Sequence, residues 1–191
     1  MANNKMGQQN FMLDTNVFNN IIKNEKNIND FKKYSTIKNI NFYATCLQLN
    51  EIKEVKDLDK KDTLLKIFKE ILKKSDFPVS FMYDVPGAGW NQGRMGVSGD
   101  LCHQIKEKMS SNLKIKDKND KTGKKYKYNR TQRAKQSQHC HSFDANIAKA
   151  SIHNKHTLVT DDKLLYDTIK EDFNAKCITY QKLQEICIKY I

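Results

Sequence analysis

Short apolar runs that alternate with segments of helical period are the feature that most restricts the fold of this 191-residue chain. Turn residues bound each run, and the runs are apolar throughout rather than at alternate positions. That pattern is typical of parallel strands covered on both faces. The predicted strands are 11–14, 41–45, 157–160 and 175–179. The sequence therefore predicts an α/β fold, a three-layer α/β/α sandwich around a central, mostly parallel sheet.

The segments between these strands have helical periodicity, and at this length we expect a single domain spanning 1–191. The pattern is lost over about 76–141, where a glycine-rich part, 87–99, is followed by a basic part. We interpret this stretch as a large insertion into the sandwich. The predicted helices are 16–24, 28–35, 46–57, 61–75, 143–153, 163–172 and 180–190.

Composition and charge narrow the class of protein. The first ten residues are polar and no apolar run approaches membrane-spanning length, so we expect a cytoplasmic protein without membrane contact. The five scattered cysteines indicate reduced thiols. Residues 104–139 carry 12 Lys and Arg against 3 Asp and Glu, which is nine of the chain's 12 excess positive charges. A basic patch this concentrated favours a polyanionic partner, the alternative being a solvated surface loop.

Asp14 and Glu51 occupy positions where folding alone does not require a carboxylate. Asp14 ends the first predicted strand, and ligands bind at the carboxyl ends of parallel strands; the alternative is a helix cap. Glu51 belongs to a helix whose start is marked by the capping-box spacing of Thr45 and Gln48. In a helix over 46–57, Glu51 points inward on one face with Leu47, Val55 and Leu58.

Two further acidic residues follow the same logic near the end of the chain. In "HSFDANIAKASI", Asp144 lies in the first turn on the packed face of its helix. In "LVTDDKLLYD", helical spacing turns Asp162 towards the sheet and makes Asp161 the better helix cap.

In a parallel sandwich these four carboxylates, at positions 14, 51, 144 and 162, converge on one edge of the sheet. Carboxylates that converge repel one another unless a cation is present. Mg²⁺ and Mn²⁺ prefer oxygen ligands and bind a few carboxylates together with waters and substrate phosphates. Such ions can activate water for phosphodiester hydrolysis, so the sequence predicts a metal-dependent hydrolase.

The chain also resembles the PIN-domain nucleases. The matching pieces are "LDTNV" at 13–17, "T..Q..EI" at 45–52, "D..IA..A" at 144–150 and "LVTDD" at 158–162. The resemblance implies a Mg²⁺- or Mn²⁺-dependent endoribonuclease that leaves 5′-phosphate and 3′-hydroxyl ends, with RNA preferred to DNA. A homodimer is expected from the family, while the resemblance leaves open a toxin, defence or RNA-processing role and an antitoxin or other protein partner.

The same resemblance implies roles for individual residues. The catalytic, metal-binding carboxylates would be Asp14, Glu51, Asp144 and Asp162, with Asp161 as a further metal ligand. Asn16 and Thr160 would be polar supports for these carboxylates. The insertion departs from the compact toxin members of the family.

Within the insertion, a cluster of basic and aromatic residues precedes the helix that carries Asp144. Lysine and arginine bind phosphates and aromatic rings stack on unpaired bases, so we expect a substrate channel whose affinity falls steeply with salt. The cluster consists of Lys124, Lys125, Tyr126, Lys127, Tyr128, Arg130 and Arg133. We interpret 87–99 as a mobile flap in which Trp90 and Arg94 contact substrate.

Other interpretations remain open. Two Cys-His pairs, Cys102-His103 and Cys140-His141, could bind zinc, although they lack the usual spacing of zinc ligands. The fold could serve a catalytically inactive nucleic-acid-binding module or a structure-specific DNA nuclease. An aspartyl phosphatase is disfavoured, because such enzymes use Asp-x-Asp where this chain has Asp14-Thr15-Asn16.

Overall fold

All four strands of the sheet are parallel. The structure, a computed structural model, describes residues 7–72, 99–119 and 143–191. The strands are β1 (Gln9–Leu13), β2 (Ile40–Tyr43), β3 (Thr157–Val159) and β4 (Cys177–Ile178). Their order is β2-β1-β3-β4, which places β1 in the interior of the sheet. The prediction of a parallel α/β sheet is confirmed, and the carboxyl end of β1 lies between the ends of its two neighbours.

Helices cover both faces of the sheet, so the predicted three layers are confirmed. Their bounds are α1 Thr15–Ile21, α2 Glu25–Thr36, α3 Cys46–Lys53, α4 Leu58–Leu72, α5 Gly99–Asn119, α6 143–153, α7 Lys163–Asp167 and α8 Tyr180–Ile188. A π-helical turn, Thr168–Asp172, continues α7. Within the described ranges, no helix combines the length and apolar character needed to cross a membrane.

Alternate residues of β1 enter two separate apolar clusters. Phe11 and Leu13 pack in the first cluster, with residues of α1, α2, α4 and α8. Met12 packs in the second cluster, with residues of α5, α6 and α7. Because strand side chains point to opposite faces in turn, the apolar run 11–13 of β1 requires a core on each side of the sheet.

One helix lies where the sequence predicted a pattern-free insertion. In α5, Ile105 and Met109 are fully buried and Cys102 is nearly so, all in the second apolar cluster. Their spacing of three and four residues is that of a helix face that packs on a core. Residues 99–119 of the predicted insertion therefore form a helix that packs on the core, while 73–98 and 120–142 lie outside the described residues.

The helix predicted over 46–57 ends early. α3 stops at Lys53, and a new helix begins after Asp57, whose side chain accepts a hydrogen bond from the Lys60 backbone N–H at 3.0 Å. Leu58 is 72% exposed and does not share an apolar face with Glu51 as predicted. The second predicted helix, 61–75, correspondingly begins earlier, at Leu58, where the Asp57 side chain satisfies one of the first amide groups of α4.

Candidate functional site

Asp14 lies at the centre of the candidate site. It directly follows β1, and its backbone N–H donates to the carbonyl of Val159 on β3 at 3.0 Å. Its Oδ1 accepts a hydrogen bond from the Thr15 backbone N–H at 2.7 Å, so Asp14 also caps α1. Of the two roles that the sequence left open for Asp14, the helix cap is therefore observed.

Two polar side chains hold the other oxygen of Asp14. Its Oδ2 accepts hydrogen bonds from Asn16 Nδ2 and from Thr160 Oγ1, both at 2.6 Å. Asn16 Nδ2 also lies 3.0 Å from Thr160 Oγ1. These contacts are the ones expected of polar supports for a carboxylate.

Burial disfavours the ionised form of the Asp14 side chain. The side chain is 2% exposed, and this burial raises its pKa from 3.8 to about 6. The hydrogen bonds from Thr160 and Thr15 lower the pKa, while the charges of Glu51 and Asp162 raise it further. A nearby cation would favour the ionised form.

Glu51 reaches Asp14 because the start of α3 is fixed. Gln48 Oε1 accepts from the Thr45 backbone N–H at 2.6 Å, and Gln48 Nε2 donates to the Leu13 carbonyl at 2.7 Å. Gln48 therefore joins α3 to Leu13, the last residue of β1. Glu51 lies three positions further along, where its Oε2 accepts a hydrogen bond from Thr15 Oγ1. Burial raises the pKa of Glu51, and the Thr15 hydrogen bond lowers it.

Asp144, near the start of the described part of α6, is half-buried. Its carboxylate has neither a hydrogen bond nor an ion pair with any residue in the described ranges. Burial raises its pKa well above the ordinary value of 3.8, and the charges of Asp14, Asp162 and Glu51 raise it further. The four carboxylates predicted to converge therefore lie near enough to repel one another.

The helix cap predicted at Asp161 is formed by Asp162, which also remains among the charges that act on Asp14 and Asp144. Asp162 is the cap of α7, because its Oδ1 accepts from the Leu165 backbone N–H at 3.0 Å. Asp161 instead accepts from the Tyr180 backbone N–H at 2.9 Å and from Asn20 Nδ2 at 2.6 Å. It thereby ties α8 to α1, and it is not among the charges that act on Asp14 or Asp144.

The donor set fits a hydrated Mg²⁺ or Mn²⁺ ion rather than a closed metal cage. In the described part of the chain, no three His, Cys, Asp or Glu side chains are arranged to hold an ion. Mg²⁺ keeps several waters and binds through one or two carboxylates, so a cage is not required. Among the described residues, none donates a hydrogen bond to either oxygen of Asp144 or to Glu51 Oε1, while hydrogen bonds occupy much of Asp14.

The zinc alternative finds no support in α5. Cys102 is 8% exposed within the second apolar cluster. The side chain of the adjacent His103 is 72% exposed, and its Nε2 lies 3.2 Å from Glu107 Oε1. Cys140 and His141 lie outside the described residues. The predicted substrate-binding residues, Trp90, Arg94 and the cluster at 124–133, lie outside them as well.

Sequence reasoning missed the part played by Thr15 and Gln48 in joining these carboxylates. The capping-box spacing identified Gln48 as a helix-start residue, but its bond to Leu13 spans 35 positions. The Thr15 contact with Glu51 spans 36. Local periodicity contains no signal for such contacts.

Comparison with known proteins adds little to this geometry. No protein-family model matches the chain, and no curated protein matches it. One similar solved structure is VapBC2 from Rickettsia felis bound to a DNA fragment from their promoter. The match has 16% identity and a TM-score of 0.42, and covers 90% of this chain and 98% of that chain. Similarity this low carries no argument about the function of this chain.

Proposed function

We propose that the chain is a Mg²⁺- or Mn²⁺-dependent endoribonuclease. The observation that carries the proposal is the environment of the Asp144 carboxylate. This half-buried carboxylate lacks a hydrogen-bond donor among the described residues and is repelled by three other carboxylates. Burying unpaired like charges is unfavourable, and perturbed carboxylates of this kind are characteristic of functional sites.

In this proposal Asp14, Glu51, Asp144 and Asp162 hold the cation. A bound divalent cation supplies activation of water and stabilisation of the leaving oxygen in phosphodiester hydrolysis. Asn16 and Thr160 keep Asp14 oriented through their hydrogen bonds to its Oδ2. The products would be 5′-phosphate and 3′-hydroxyl ends.

The substrate and partners follow from charge and from the resemblance to PIN-domain nucleases. The excess positive charge of residues 104–139 favours a nucleic acid, and the resemblance favours RNA. An antitoxin-like protein partner, a homodimer and a cytoplasmic location belong to the same proposal.

A second candidate is a nucleic-acid-binding module that lacks catalysis. The lack of a three-ligand metal arrangement among the described residues favours it. The two candidates differ in whether bound RNA is cut.

The test compares the wild type with Asp14→Asn and Asp144→Asn. Single-stranded RNA, structured RNA and DNA are each incubated with Mg²⁺, Mn²⁺ or a chelator. Asp62→Asn is the control, because Asp62 is an exposed aspartate on α4. We expect the wild type and the control to cleave RNA with either metal, and the two site variants to lose about 100-fold or more in rate.

Cleavage that survives both site substitutions, or the chelator, would contradict the proposal. A wild type that binds RNA without cutting it would establish the second candidate. Cleavage of DNA alone would make the chain a DNA nuclease that uses the same site.

A further inference from the structure

Thr15 contacts two of the four carboxylates at once. Its backbone N–H donates to Asp14 Oδ1 at 2.7 Å, and its hydroxyl donates to Glu51 Oε2. The two acceptors belong to different parts of the fold, since Asp14 follows β1 and Glu51 lies on α3. Thr15 therefore bridges the two carboxylates that the first half of the chain contributes.

The position of Glu51 depends on such a donor. α3 ends at Lys53, so Glu51 lies in its last turn, on a half-buried and flexible side chain. Repulsion from Asp14 and Asp144 favours conformers in which the Glu51 carboxylate turns away from the cluster. A hydrogen bond to a charged acceptor opposes that movement and orients the carboxylate.

The hydroxyl of Thr15 is not needed to begin a helix. Other threonines of this chain use their hydroxyl groups as caps: Thr45 accepts from the Leu47 backbone N–H, and Thr179 accepts from that of Lys182. At α1, the side chain of Asp14 caps the helix. The Thr15 hydroxyl is therefore available to hold Glu51.

We propose that Thr15 is a positioning residue that holds Glu51 beside Asp14 and thereby sets the affinity of the site for divalent cations. This inference rests on the proposed function and deepens it. Thr15 does not touch the reacting atoms. Its effect passes through Glu51 alone.

The experiment measures Mn²⁺ binding to the purified protein by titration calorimetry, together with unfolding in urea. Thr15→Val removes the hydroxyl and keeps the shape, while Thr15→Ser keeps the hydroxyl. Thr63→Val is the control, because its hydroxyl donates to the Asp59 carbonyl within α4. We expect Thr15→Val to weaken Mn²⁺ binding about tenfold, while Thr15→Ser and Thr63→Val bind like the wild type.

A double-mutant cycle then tests whether the effect passes through Glu51. Glu51→Gln should weaken Mn²⁺ binding, and adding Thr15→Val to it should weaken binding no further. Thr15→Ala provides a second variant without the hydroxyl if Thr15→Val unfolds. Suppose that the wild type binds Mn²⁺ through Glu51 and that Thr15→Val and Thr15→Ala keep the wild-type affinity. That result would overturn the inference and leave the proposed function intact.

Three other results are informative. Thr15→Ser binding as weakly as Thr15→Val would assign the effect to packing of the methyl group and overturn the inference. Full additivity in the cycle would overturn it as well. A wild type that binds no Mn²⁺, or binds it equally well after Asp144→Asn and Glu51→Gln, would overturn the proposed function itself.

Discussion

At the scale of single residues, the aspartates at positions 14, 144, 161 and 162 differ in the hydrogen-bond donors around them. Asp14 accepts three hydrogen bonds and is buried, while Asp161 joins two helices. Asp162 caps α7, and Asp144 has no donor within the described ranges. The surroundings of an aspartate therefore decide whether its carboxylate is stabilised by the fold or is left buried without a donor among the described residues.

Asp144→Asn should stabilise the metal-free protein. The substitution removes a charge that burial and three neighbouring carboxylates oppose, and it breaks no hydrogen bond among the described residues. We expect the free energy of unfolding at pH 7, measured in urea with a chelator, to rise by on the order of 1 kcal/mol. Mg²⁺ should stabilise the wild type and not the variant.

The control for that prediction is Asp62→Asn on α4, where the side chain is exposed. Its unfolding free energy should change by less than about 0.5 kcal/mol. A metal-free Asp144→Asn protein that is less stable than the wild type would show that the carboxylate has a stabilising partner.

Residue-scale prediction succeeded where the strand pattern decided the position, and failed where a distant contact did. The convergence of Asp14, Glu51, Asp144 and Asp162 followed from the ends of parallel strands and from helix periodicity. The sequence did not predict which of Asp161 and Asp162 caps the helix, because that choice depends on a distant contact. The Tyr180 backbone N–H, 19 positions from Asp161, donates a hydrogen bond to it. The spacing of residues within one segment cannot predict a hydrogen-bond donor that another element contributes.

At the scale of elements, α3 is a short helix that one side chain holds to the sheet. It has eight residues, and Gln48 within it is fully buried. The amide group of Gln48 satisfies the Thr45 N–H and the Leu13 carbonyl. A helix this short has little stability of its own, so this anchor determines where Glu51 lies.

Gln48→Leu should destabilise the protein by about 2–3 kcal/mol, because it leaves a buried donor and a buried acceptor without partners. Urea unfolding measures the change. Gln181→Leu, at an exposed position in the first turn of α8, is the matched control and should be nearly neutral. A Gln48→Leu protein as stable as this control would show that α3 does not depend on the anchor.

The sequence predicted the existence of most elements and missed several of their ends. Strand β1 was visible because three consecutive apolar residues fit a strand covered on both faces. The end of α3 was missed because the apolar period continues to Leu58, while the cap at Asp57 divides the segment. α5 was missed because its buried residues, Cys102, Ile105 and Met109, are separated by lysines and other polar residues.

At the scale of the whole molecule, the site couples stability to pH. The pKa of Asp14 is about 6 in the folded protein and 3.8 as the ordinary value. The folded state therefore binds this proton more tightly than the unfolded state does. The associated stability is present below about pH 4 and is lost as pH rises through about 6.

We therefore expect the metal-free wild type to lose on the order of 2–3 kcal/mol of stability, relative to Asp14→Asn, between pH 4 and pH 7. Urea unfolding at a series of pH values measures the difference between the two proteins, in which the titration of groups that do not interact with Asp14 cancels. Saturating Mg²⁺ should remove most of the loss from the wild type alone. A difference that does not vary with pH would mean that Asp14 titrates alike in both states.

The position of β1 in the sheet has a consequence for the order in which the molecule is made. Its neighbour β2 is synthesised soon after it, but β3 begins only at Thr157. Residues 1–156 are therefore synthesised before β1 acquires its second partner. The set of four carboxylates is complete only once position 162 has been synthesised, so a growing chain shorter than this lacks part of the candidate site.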